Sequence, residues 1–316
     1  MSLRERFHRD GVLHIPQLLS PPEMARLRAG YDWSMANPSP GAGWDQQGPK
    51  SFPLGQREGA VHRRLPLDQK PTSGASYSDN TTRRGMDVYG NVVVCPAILD
   101  VLSQLFSPAE ELEAYFLGKQ VFHKELGAPM TGWHQDVSDI GAEGRDMVGL
   151  WIPFTEVFPE GHPRANDARC LEFVRGSHVG PVYASSYGLH RGPGVPEVPD
   201  IEAARQDFDV VSWHCKPGDA IAFHFATLHG GGGVSPHHER RAIALRYFGP
   251  DCRVAERVVH LPAGQRQHNH MPKATRPRHP AEQAAEAATA GPKVGQPFRH
   301  PSYVPVQQLQ GAGGRL

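Results

Sequence analysis

The stretch TGWHQDV occupies residues 131–137, and its reading decides how the rest of the chain is understood. On an extended strand, side chains at i and i+2 point to the same side. His134 and Asp136 then face one space together, just after Trp133. Working outward from this stretch, the texture from about residue 114 is a series of short runs: AYFLGKQVFHKEL, MVGLWIPFTEV, CLEFVRGSH, FDVVSWH, DAIAFHFATLH and RAIALRYFG. Each is rich in aromatic or β-branched residues and is bounded by Gly, Pro, Asp or Ser, the signature of strands in an all-β sandwich or barrel. KPGDA (216–220) reads as a turn between two of them, with Pro217 and Gly218 supplying the dihedrals.

Helices are expected before this region. SPPEMARLRAGYDWSM (20–35) has Ser20 as cap, Pro21 in the first turn and Glu23 to complete a capping box, with Met24, Leu27 and Tyr31 at helical spacing. PAILDVLSQLF (96–106) places Ile98, Leu102, Leu105 and Phe106 on one side of a second helix. Residues 36–85 carry Gly, Pro, Ser, Asn and Asp with weak periodicity and read as a long lid or binding loop. The reading divides the chain into a main domain over 1–262 and a Pro-, His- and Gln-rich tail over 263–316, partly ordered, with a short helix in HPAEQAAEAATAG (279–291).

Lys plus Arg and Asp plus Glu number 33 each, so the net charge is zero. Nucleic-acid and polybasic membrane binding both rest on excess positive charge and are disfavoured. No run approaches the roughly 18 apolar residues of a membrane span, and MSLRERFHRDG at the start holds no apolar signal core. Cys95, Cys170, Cys215 and Cys252 form no CxxC pair, so neither a zinc ribbon nor a disulfide scaffold is indicated. A cytoplasmic protein acting on a small molecule is the expectation, as monomer or homodimer.

A third ligand stands at His229, 95 residues beyond His134, at the end of FHFATLH and before the turn GGGG (230–233). Two imidazoles and one carboxylate on one face of a metal leave three open positions, as in the facial triad of non-haem iron(II) oxygenases. Arg240 lies eleven residues beyond His229, and its fork matches a carboxylate. An ion pair on a solvated face is the plainer reading of Arg240. Arg241 should face the other way. His123, His214 and His224 read as packing or surface residues.

The segments FHRDGVLHIPQLLSPPEMARLR, HKELGAPMTGWHQD, LEFVRGSH, PGDAIAFHFATLHG and ERRAIALRYFGPD together resemble the phytanoyl-CoA dioxygenase family, which also holds ectoine hydroxylase. The resemblance covers most of residues 7–252. It implies a mainly β fold, a double-stranded β-helix (jelly-roll, cupin-like) core with flanking α-helices on one side. It also implies iron(II) held by His134, Asp136 and His229, with Arg240 holding 2-oxoglutarate as co-substrate and O2 as oxidant. Gln120 and Lys124 match strand positions that touch the co-substrate, and they share parity; strand-edge polar residues are the alternative. Trp151 matches a co-substrate wall, with a core role as the alternative. The implied reaction hydroxylates an unactivated C–H bond and releases succinate and CO2. The carboxylate of Asp136 favours hydroxylation, because halogenating relatives lack it. Two rivals are a non-catalytic cupin-like binding protein and a zinc hydrolase, and Arg240 weighs against both. The chain departs from the family in DARCLEFVRGSH, which lacks an Asn-Gly, and near Val234, where an Asn is common. Both departures concern the substrate, whose walls are expected in 36–85, 137–146 and 180–200.

Overall fold

RRAIALRYF alternates between two faces and forms the strand on which both layers of the molecule rest. The computed structural model describes residues 1–46, 63–71, 74–109, 111–185, 194–256, 293–300 and 303–311. The chain opens with helix α1 (Leu3–Asp10), strand β1 (Val12–Ile15) and helix α2 (Pro21–Ala36). Strands β2 (Gly43–Gln46), β3 (Arg63–Leu65) and β4 (Ser76–Thr81) follow, then helices α3 (Met86–Tyr89) and α4 (Pro96–Leu105). Next come β5 (Tyr115–Lys124), β6 (Thr131–His134), β7 (Ala142–Glu143), β8 (Met147–Pro153) and β9 (Leu171–Val174). After them run β10 (Val210–Val211), β11 (Ala220–Phe223), β12 (His229–Gly231), β13 (Arg240–Phe248) and β14 (Arg253–Val254). Strand β15 (Val304–Pro305) and helix α5 (Val306–Gly311) end the described chain.

Among the described residues, nine strands make one sheet in the order β1-β11-β8-β13-β5-β4-β2-β3, with β15 also paired to β5. Four make a second sheet, β10-β9-β12-β6, and every pairing in both is antiparallel. The sheets face one another as a double-stranded β-helix. Trp151, Ile221, Phe223, Ala242 and Ala244 of the large sheet pack against Leu171 and Phe173 of the small one. The alternate residues Ile243, Leu245 and Tyr247 turn outward, into a core shared with Phe7, Leu27, Tyr31, Ile98 and Leu102. The helices therefore cover one face of the large sheet, and the space between the sheets is left to the other. No single described helix is long and apolar enough to cross a membrane.

Helix α2 starts where Ser20 and Glu23 predict; the Ser20 N–H and hydroxyl donate to the Glu23 carboxylate at 2.8 and 2.7 Å. The lid expected over 36–85 is corrected in its described parts. Strands β2, β3 and β4 extend the large sheet beyond β5, with Ser76 to Thr81 paired to Lys124 to Lys119. These strands are short and polar, so their pairing partner rather than their own pattern makes them strands. The described end of the tail also returns to the sheet. β15 pairs with Tyr115 and Phe116, and the Phe298 and Tyr303 rings pack on Phe248 at 5.1 and 5.5 Å. The Ala-rich stretch 279–291 lies outside the described residues.

Candidate metal and co-substrate site

Strands β6 and β12 are neighbours, and their register sets His134 directly opposite His229. Gln135 stays extended, with φ −120° and ψ 134°, so Asp136 returns to the side of His134 before a 3-10 turn begins. Nε2 of His134 and Nε2 of His229 each stand 3.9 Å from Asp136 Oδ1. The two rings lie 4.2 Å apart between centroids. A single small divalent ion with bonds of ~2.1 Å sets cis donors ~3.0 Å apart and trans donors ~4.2 Å apart, so both spacings lie within reach of one ion, wider than a closed facial set.

Backbone carbonyls orient both imidazoles. Nδ1–H of His134 donates to Gly132 O, and Nδ1–H of His229 to Thr227 O, each at 2.9 Å. A carbonyl only accepts, so the proton sits on Nδ1 and each Nε2 keeps its lone pair for a metal. His229 is packed between Phe173 and Phe223, with ring centroids at 5.7 and 4.8 Å. Burial foremost, then the neighbouring His134, pushes His229 down to about 3, which keeps its imidazole neutral at neutral pH.

Asp136 is held by a residue absent from the sequence reading. Arg246 donates from Nε and Nη2 to Asp136 Oδ2 at 3.1 and 3.0 Å, and from Nη2 to Gln120 Oε1 at 2.7 Å. Burial by itself drives the carboxyl up, but the positive field of Arg246, with His229 and His134, overcomes it and brings Asp136 down to about 2. The signal that could have found Arg246 is parity, since Arg240, Ala242, Ala244 and Arg246 share one side of β13.

Arg240 lies further along that side, opposite Lys124 on β5. It is 3% exposed. Nη1 donates to Arg169 O at 2.9 Å, and its guanidinium carbon lies 5.5 Å from the Trp151 ring centre. Among the described residues no carboxylate pairs with it, and its Nε is buried without a partner. Burial lowers it to about 10, so it remains a cation at neutral pH. Gly232 makes room for it: φ there is +69°, and a Cβ would lie 1.8 Å from Arg240 Nη1. GGGG is thus the end of β12 and the turn that clears this guanidinium. Lys124 is buried and its Nζ donates to Pro129 O. Gln120, Ala244 and Trp151 form one cross-strand row. Trp151 is therefore both a core residue and a neighbour of Arg240. Arg241 faces away and pairs with Glu239 at 2.8 Å.

Of the substrate wall expected over 180–200, residues 186–193 lie outside the described residues. Residues 181–185 are fastened beside the site: Gln135 donates to Ala226 O at 2.7 Å and Pro181 O at 3.2 Å, and Tyr183 N–H donates to Gln135 at 2.8 Å. Val198 and Ile201 instead pack with Trp133 and Leu228, behind the small sheet. His123 and His214 pair with Glu239 and Glu156 at 2.8 and 2.7 Å, while His224 is buried against Gly144 O at 3.0 Å.

A profile of the family described as phytanoyl-CoA dioxygenase (PhyH) matches residues 7–242. No curated protein matches the chain. Among solved structures, SnoN, a non-heme alpha-ketoglutarate-dependent epimerase from nogalamycin biosynthesis, is 16% identical over 96% of each chain, with a TM-score of 0.60. SnoK, a carbocyclase of the same biosynthesis, is 14% identical over 95% of this chain and 94% of its own, with a TM-score of 0.57. EctD from S. alaskensis, solved with 2-oxoglutarate and 5-hydroxyectoine, is 18% identical over 86% of this chain and 87% of its own, with a TM-score of 0.55. At such identities the likeness establishes the jelly-roll fold.

Proposed function

The chain belongs to the phytanoyl-CoA dioxygenase family, and from that premise we propose that it hydroxylates an unactivated C–H bond of a small molecule. Its general class is that of the non-haem iron, 2-oxoglutarate-dependent oxygenases. The observation that carries the reading is the convergence of His134 Nε2, His229 Nε2 and Asp136 Oδ1 on one point, with the lone pairs of both imidazoles spared by their Nδ1 bonds. Iron(II) held by these three supplies, with O2, the oxidising power that side chains lack.

The chain's own residues bind, orient and exclude. Arg240 brings a buried positive charge with no acidic partner among the described residues, which suits the distal carboxylate of 2-oxoglutarate. Trp151 lies beside that guanidinium and walls the same space. Lys124, opposite Arg240, and Gln120, in the row of Trp151, are the further co-substrate contacts. Phe173 and Phe223 shield His229 from water. The carboxylate of Asp136 supports hydroxylation over halogenation. A zinc hydrolase or an inert cupin-like binder has no use for Arg240.

Adding iron(II) and 2-oxoglutarate without oxygen should raise a visible charge-transfer band, absent in His134→Ala. With O2, a substrate screen should release succinate and a product that gains one oxygen atom. A product of unchanged mass means epimerisation, and loss of two hydrogens means desaturation or ring closure. Binding of zinc alone, with no band, refutes the oxygenase reading.

A further inference from the structure

Arg246 spends its guanidinium on two partners at the heart of the site. Its side chain is 8% exposed and that of Asp136 12%. Nε and Nη2 both reach Asp136 Oδ2, and Nη2 also reaches Gln120 Oε1. We propose that Arg246 is a positioning residue that holds Asp136 as a one-oxygen metal ligand and fixes which face of the Gln120 amide meets the bound co-substrate. The proposal rests on the iron reading above and extends it to a residue that bonds a candidate metal ligand from behind, its Nη1 buried without a partner.

A carboxylate that swings freely offers an ion either oxygen, or both. Two charge-assisted bonds from one rigid fork converge on Oδ2 and occupy it. Oδ1 is left as the atom 3.9 Å from both Nε2 donors. The same fork settles the amide. A guanidinium has donors only, so the oxygen of Gln120 must face it and the NH2 must point elsewhere. Gln120 then offers donors, and suits an acceptor oxygen on the molecule beside the ion. Arg246 stands 110 residues from Asp136 and 126 from Gln120 in sequence. One side chain thereby ties the small sheet's ligand to the large sheet's strand β5.

The test compares wild type with Arg246→Met, Arg246→Lys and Gln120→Leu, each checked for cooperative unfolding. Anaerobic titration with iron(II), then with 2-oxoglutarate, reads the metal Kd and the position of the charge-transfer band at saturation. Loss of a ligand's hydrogen-bond partner weakens metal binding by roughly 10–100-fold, and Arg246→Met should fall in that range with a displaced band. Arg246→Lys keeps the charge but loses the fork; it should lie between, and it carries the test should the Met variant not fold. Gln120→Leu should leave the metal Kd unchanged and weaken 2-oxoglutarate. A folded Arg246 variant with wild-type Kd and band overturns the proposal. Wild type without iron binding or band overturns the iron reading instead, so the two failures are told apart.

Discussion

Two clusters of donors in this chain have similar composition and differ in what their atoms have left to do. His134, Asp136 and His229 form one; His14, Cys215 and Asp219 form the other, and in each the donor atoms lie within 4.8 Å. In the second cluster Asp219 Oδ1 accepts from Gln17 N–H at 2.9 Å, and Oδ2 accepts from Lys216 N–H at 2.9 Å. His14 Nε2 is spent on the same Oδ2 at 3.3 Å. That carboxylate locks the KPGDA turn to the chain after β1. In the first cluster the backbone takes the Nδ1 atoms, Arg246 takes Oδ2, and the two Nε2 atoms and Oδ1 remain. Proximity of donors is common to both; unspent donors mark only the first.

The strongest way to break this contrast is to remove one member from each cluster. His229→Ala should abolish metal binding and turnover together. Asp219→Ala should leave the metal Kd at the wild-type value and lower stability by about 1–3 kcal/mol, the cost of leaving buried donors unpaired. Calorimetric metal titration and thermal unfolding on both variants read the difference; loss of metal by the Asp219 variant would make the clusters equivalent.

Arg240 follows the same rule, as a buried cation with donors in hand. Loss of charged hydrogen bonds worth about 1.5–3 kcal/mol should raise the 2-oxoglutarate KM of Arg240→Leu roughly 10–100-fold. Gly232→Ala should move KM in the same direction and less far, because its Cβ displaces the guanidinium without deleting it. Steady-state kinetics in 2-oxoglutarate checks both, and an unchanged KM in Arg240→Leu removes the clamp.

The smallest effect is on pH dependence and is read in metal-free protein. Burial foremost lowers His229 to about 3 and His224 to about 4, against an unfolded value of about 6.5. Between those values the unfolded chain binds more protons, so stability rises with pH. The contribution is complete above about pH 6.5 and is lost as pH falls through the folded values. Burial acts to raise Asp219, but the Lys216 and Gln17 N–H bonds outweigh it and hold the carboxyl below its ordinary value; its contribution is lost only in stronger acid. Melting temperature should therefore fall from pH 7 to 5, less steeply in His229→Gln and as in wild type for Asp219→Asn. An unaltered slope in His229→Gln would show that His229 titrates normally.

Local rules were enough for a good part of the molecule. The alternation of side chains along a strand places His134 beside Asp136 and separates Arg240 from Arg241, because parity needs only an extended backbone. Ser20, Pro21 and Glu23 mark the start of α2 because capping is settled within one turn. Aromatic and β-branched runs announce β5, β8 and β13, of which β8 and β13 are buried on both faces. Only tertiary structure could decide which donors are spent. The Arg246 partner of Asp136, the saturation of Asp219, and the strands at 43–46, 76–81 and 304–305 all arise from contacts between residues far apart in the chain. Their own neighbourhoods carry no periodic signal, since the partner that stabilises them arrives only when the sheets close.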